Sequence, residues 1–175
     1  MNHLEANDCV FVDETGVNIA MARQYGRAPK GARVHTSAPV NTGNNVTVLG
    51  ALSRDGILAA MTIEGSTDTQ VFLTFVQTIL VPTLRSGQIV IMDNLSSHKV
   101  NGVKEAIEAV GATLDYLPAY SPDFSPIEAC WSKFKEFLRA KAARTRARLD
   151  QAITEALATI TPQDARGWFA HGGYM

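Results

Sequence analysis

Two short runs of strand formers, Cys9 to Val12 (CVFV) and Gln88 to Met92 (QIVIM), each pass directly into an aspartate, Asp13 and Asp93. Runs this apolar, with no polar alternation, fit strands buried on both faces, and such strands belong at the centre of a sheet covered by helices. Ligand sites of open α/β sheets lie where loops leave the strand ends, so Asp13 and Asp93 are candidates for one shared site. The competing reading is plain: aspartate is common at strand exits, where it makes turns.

The segments between and after these runs set the topology. NVTVLGALS and GILAAMTIEG flank Arg54-Asp55-Gly56, a hairpin signal. Thr67, with Gln70 three residues on, opens a helix in which Val71, Phe75, Val76, Ile79 and Leu80 keep helical spacing as far as Pro82. After Asp93, SSHKVNGVKEAIEAVG reads as a helix with Val100, Val103, Ile107 and Val110 on one side and Gly111 as its stop. TLDYL is a short strand, and a helix runs from about Pro126 to Ala143. A last helix carries Leu149, Ile153, Leu157 and Ile160, ends near Pro162, and leaves a short tail with Trp168 and Phe169. The order predicts an α/β fold in one domain over 1–175: a mixed five-stranded sheet with helices on both faces, first and fourth strands adjacent. It is similar to the ribonuclease H-like topology.

A chain of 175 residues buries about 70% of its unfolded surface and needs no staple. Cys9 and Cys130, with no C-x-x-C or His-rich companion, suggest neither a disulfide framework nor a zinc site. The start has no signal-peptide pattern and no apolar run is long enough for a membrane helix, so a cytoplasmic protein without a membrane partner is expected. P-loop, H-E-x-x-H and G-x-S-x-G patterns are absent, and Thr15 stands where an aspartyl-phosphate phosphatase needs its second aspartate. The net charge of −1 argues weakly against a nucleic-acid partner, but the charges are clustered. Lys133, Lys135, Arg139, Lys141, Arg144, Arg146 and Arg148 are opposed within their stretch only by Glu136, and Arg23, Arg27, Lys30 and Arg33 form a second group. Either group reads as a solvated surface or as a binding face.

Ser125-Pro126-Ile127-Glu128 has the form of a capping box, with proline at the first helical position. At about 100° per residue, Ile127, Trp131, Phe134 and Leu138 make an apolar stripe beside a polar stripe of Glu128, Ser132, Lys135 and Arg139. Docked by its apolar stripe, this helix would bring Glu128 toward the sheet end. Trp131 is read as core rather than as a base-stacking aromatic. Three converging carboxylates repel one another unless a cation lies between them. Hard oxygen ligands suit Mg2+ or Mn2+, and two such ions serve in-line displacement at phosphorus.

VDETG, MDNLSSHK and YLPAYSPDFSPIEACWSKFK resemble the catalytic domain of the mariner-like superfamily of DDE transposases, in its bacterial insertion-sequence branch. MARQYGRAPKGAR is similar to the segment that follows the first aspartate in that branch. The 34 residues between Asp93 and Glu128 agree with its spacing. The resemblance implies Asp13, Asp93 and Glu128 as catalytic residues and ligands of two Mg2+ or Mn2+ ions. It places Asn94 and His98 in a supporting motif, His98 being either near substrate or a plain surface residue. Glu14 is then a neighbour, since alternation turns it to the opposite face from Asp13.

The implied activity is cleavage at the ends of a DNA element, freeing a 3′-hydroxyl that attacks target DNA. DNA contacts are expected from Arg27, Lys30, Arg33, Lys135 and Arg139, and a nucleoid-associated, DNA-bound state in a bacterial cytoplasm. Members of the superfamily carry helix-turn-helix modules ahead of this domain. Only a dozen residues precede Asp13 here, so three expectations stand side by side: a fragment, a second reading frame whose end-recognition protein is encoded in a separate frame, or a decayed copy; a homodimer is a further expectation. Two alternatives stand: a ribonuclease H-like nuclease without strand transfer, and a non-catalytic remnant that binds DNA or dimerises with an intact transposase.

Overall fold

A computed structural model describes residues 6–23, 25–94, 101–118 and 124–174. β1 (Cys9–Val17), β2 (Val46–Ser53) and β3 (Gly56–Glu64) form an antiparallel meander, with Arg54 and Asp55 at the tight turn. α1 (Thr69–Phe75) widens into a π-turn over Val76–Leu80 and ends in a 3-10 turn at Val81–Thr83. β4 (Ile89–Met92), α2 (Val103–Glu108), β5 (Thr113–Tyr116), α3 (Pro126–Lys141), α4 (Arg146–Ala158) and α5 (Pro162–His171) follow. The sheet order is β3-β2-β1-β4-β5, with β4 parallel to both β1 and β5. Adjacency of the first and fourth strands is as expected.

Strand alternation builds two cores. On one face Phe11, Val48, Leu52 and Ile91 pack with Ile127, Trp131, Phe134 and Leu138 of α3, Leu149 and Ile153 of α4 and Phe169 of α5. On the other, Val10, Val12, Leu49 and Val90 meet Phe72 and Phe75 of α1 and Ile107 of α2. The four residues of the α3 apolar stripe are all at most 2% exposed. No helix among the described residues is long and apolar enough to cross a membrane. Cys9 and Cys130 are both buried in one core.

Four local expectations need correction. Asp13 does not end its strand: β1 runs on to Val17, because β2 keeps pairing with it after β4 has stopped. Asp68, not Thr67, caps α1, accepting from the Val71 N–H at 2.8 Å. α2 begins at Val103, after Gly102 turns the chain at φ 97°, a conformation glycine adopts without strain; residues 95–100, including Val100, lie outside the described residues. The tail is a helix, α5, opened by a reciprocal Thr161–Asp164 cap with Pro162 in its first turn.

Candidate active site

The parallel pairing of β1 with β4 runs from Cys9↔Ile89 to Val12↔Met92 and stops. Asp13 and Asp93 are the next residue on each strand, so the register itself sets them side by side where the two strands part. This is the carboxyl end of the parallel strands, where loops leave an open α/β sheet. Alternation puts Asp13 on the α3 face with Phe11, and Glu14 on the opposite face beside Leu49, its partner across the pair. One carboxylate oxygen of Glu14 is buried without a hydrogen-bond partner among the described residues.

Glu128 reaches the same place from the first turn of α3. Ser125 stands at the cap and Pro126 follows it, but Ser125 makes no side-chain cap hydrogen bond. The capping box expected from the sequence is therefore not formed, and the Glu128 carboxylate, which is exposed, is not taken up in closing it. Its surroundings form a cleft of about 520 Å³ lined by Phe124, Ser125, Ala129, His171 and Gly172. His171 comes from α5, so nothing in the motifs pointed to it.

Electrostatics tie the three acids together. Burial pushes the Asp13 carboxyl up to about 7, and repulsion from Glu128 and Asp93 adds to it, against hydrogen bonds from the Glu14 backbone N–H and the Trp131 indole. No lysine or arginine among the described residues offsets this charge at Asp13. Among the described residues, no three His, Cys, Asp or Glu side chains are gathered closely enough to cage a metal by themselves. The donor set nevertheless suits a hard divalent cation. Mg2+ characteristically takes only one or two carboxylates and completes its shell with water and substrate phosphate.

Trp131 is core, as read from its stripe, and more. Its indole Nε1–H donates to Asp13 Oδ2 at 3.0 Å. The ring fits because Gly50 is the cross-strand partner of Asp13. A Cβ at position 50 would stand 2.5 Å from Trp131 Cη2 and 2.9 Å from Cζ2.

The basic residues divide by partner. Lys133 donates to Thr159 O and Asp164, Lys141 pairs with Glu155, and Arg146 pairs with Glu64 and Asp150. The Arg144 guanidinium donates to the carbonyls of Ile19, Met21 and Ser37, pinning the long β1–β2 segment beside the end of α3. These four hold structure together. Lys135 and Arg139 make no ion pair among the described residues. Arg139, Ser132 and Glu136 share a cleft of about 530 Å³ with Arg23 and Tyr25. Arg27, Lys30 and Arg33 are exposed in the same segment. Asn94 is exposed beside Asp93, and His98 lies outside the described residues.

Comparison with curated protein sequences gives no match. Among solved structures, the chain is similar to the pre-cleavage Mos1 transpososome, with TM-score 0.78 and 14% identity over 97% of this chain and 54% of that one. The Mos1 paired-end complex with Mn gives 0.71 and 17% identity over 94% and 52%. The isolated catalytic domain of Mos1 mariner transposase gives 0.67 and 14% identity over 97% and 79%. The fold is thus ribonuclease H-like as expected, and the chain spans about half the length of the first of these structures. The sequence profile described as DDE superfamily endonuclease matches residues 8–150. That match takes in all five strands, the whole of α3 and the positions of Asp13, Asp93 and Glu128, and it places the chain in the DDE superfamily endonuclease family.

Proposed function

We propose that this chain is a transposase catalytic domain, cutting DNA phosphodiester bonds at element ends and joining the freed 3′-hydroxyl to target DNA. One observation carries the reading. Asp13 and Asp93 follow the last paired residues of two adjacent parallel strands, and Glu128 on α3 is near enough to raise the Asp13 carboxyl. Likeness to the Mos1 transpososome and to the Mos1 strand transfer complex supports it.

In this reading Asp13, Asp93 and Glu128 hold Mg2+ or Mn2+, two ions by the family's chemistry. Such cations, when bound, supply charge stabilisation to the attacking and leaving oxygens of an in-line displacement at phosphorus. The chain's own part is placement. The strand register fixes the two aspartates, α3, the helix packed on the same face as Asp13, brings the glutamate, and Arg23 and Arg139 offer charge to the sugar-phosphate backbone. DNA ends and target DNA are the partners, with pairing of two copies and a separate end-recognition protein as extensions of the same reading.

The test is product analysis. A duplex oligonucleotide with a free 3′-hydroxyl is incubated with supercoiled plasmid and Mn2+, and joined and merely cut products are resolved. Joined product that disappears in Glu128→Gln is the expected result. Cutting without any joining would replace the proposal by a nuclease, and neither reaction by a DNA-binding remnant.

A further inference from the structure

We propose that Trp131 is a positioning residue of the site: its indole N–H engages one oxygen of Asp13 and so helps to orient the carboxylate that would hold the metal. The inference rests on the reading that Asp13 is a metal ligand. Three independent observations meet at this contact.

The first is the hydrogen bond, 3.0 Å from Nε1 to Oδ2. The second is how little freedom the ring has. Trp131 is 2% exposed, and its edge-to-face packing on Phe134, with centroids 5.5 Å apart, holds the N–H in one direction. The third is Gly50. The residue directly across the strand pair from Asp13 is the one whose missing side chain admits the six-membered ring, since a Cβ there would overlap Cη2 and Cζ2.

Indole nitrogen is a donor only, so it can neither ligate a metal in place of Asp13 nor accept a hydrogen bond. Two carboxylates and two N–H donors, the Glu14 backbone and the Trp131 indole, act on Asp13, with no protein cation among the described residues. A carboxylate so placed could rotate about its last torsion. The side-chain donor on Oδ2, added to the Glu14 backbone N–H, restricts that rotation in the absence of a metal. Outer partners that orient a metal ligand typically contribute 10- to 100-fold in affinity.

The experiment is Mn2+ titration of the full chain, with free Mn2+ read by electron paramagnetic resonance, on wild type, Asp13→Asn, Trp131→Phe and Gly50→Ala. Trp131→Phe keeps an aromatic ring in the core and removes the N–H. Gly50→Ala keeps the N–H and displaces the ring. Both are expected to bind Mn2+ about 10-fold more weakly, with circular dichroism unchanged for Trp131→Phe. The Mn2+ concentration for half-maximal cleavage should rise by the same factor, with the rate at saturating Mn2+ retained. Wild-type affinity in a folded Trp131→Phe overturns the inference while leaving the reading of Asp13 intact. Equal Mn2+ affinity in wild type and Asp13→Asn overturns that reading, and the inference with it.

Discussion

Asp13 carries a cost that the fold accepts for the sake of the site. Its carboxyl ionises near 7 in the folded chain against 3.8 ordinarily, chiefly because it is buried, and further because Glu128 and Asp93 face it. The folded state therefore binds more protons than the unfolded one between about pH 4 and 7. Stability must fall across that window as pH rises, and the full penalty persists above it. Asparagine keeps an oxygen for the Trp131 N–H and removes the charge. In EDTA, Asp13→Asn should be more stable than wild type by on the order of 3 kcal/mol at pH 8, the gap closing toward pH 4. Urea denaturation at both pH values measures this, and added Mg2+ should narrow the gap at pH 8 by stabilising wild type more. A constant difference at all pH values would mean that Asp13 is not held protonated by its surroundings. The sequence marked Asp13 as a candidate from the apolar run before it. The register that makes it a neighbour of Asp93 lies in pairing between segments far apart in the chain, so it could be expected only by assuming a topology.

Among the helices, α3 was the most legible and α5 the least. Ile127, Trp131, Phe134 and Leu138 repeat at helical spacing, and all are buried. Nothing in that spacing says which way the Trp131 N–H points, because the direction is set by Gly50 on another strand. α5 is short and begins with a proline, yet Thr161-Pro162-Gln163-Asp164 is a cap signal that could have found it. Phe169, fully buried and edge-to-face on Phe11 at 5.4 Å, is what fastens that helix to the sheet. Its N-terminus depends on Asp164, which Lys133, then Thr161, hold down at about 2. A carboxyl lowered in this way contributes stability above its unfolded value, lost as pH falls toward the folded one. Asp164→Asn should therefore melt earlier than wild type at pH 7, with the two curves converging between about pH 4 and pH 2. Arg144 has a comparable role for the β1–β2 segment through its three carbonyl contacts. Hydrogen bonds to a charged donor contribute about 1.5 kcal/mol or more each. Arg144→Ala should speed tryptic cleavage within residues 23–33 at least about 10-fold, with little change in the melting of the sheet. Unaltered cleavage would show that the segment is held by other means.

Taken as a molecule, the chain is nearly neutral at a net charge of −1, so any attraction to DNA must come from where its charges stand. The sequence showed two basic groups, Arg23 to Arg33 and Lys133 to Arg148, far apart in the chain, and could not tell structural cations from available ones. Folding separates them. Lys133, Lys141, Arg144 and Arg146 are engaged with carboxylates or carbonyls, whereas Lys135 and Arg139 lie on the α3 stripe that begins with Glu128. Arg144 then draws the second group against the first, so that Arg23 and Arg139 line one cleft. The arginine-to-carbonyl contacts contribute to this continuity, and no local pattern announces them. If the cleft carries the DNA backbone, each cation that meets a phosphate adds close to one unit to the slope of log affinity against log salt. Lys135→Ala and Arg139→Ala should each reduce that slope by about 1 in filter binding to duplex DNA between 50 and 200 mM salt, roughly independent of sequence. Lys141→Ala and Arg146→Ala, which remove cations already paired, should leave the slope unchanged. The reverse pattern would place the DNA on the α4 side of the molecule and detach the basic cleft from the three carboxylates.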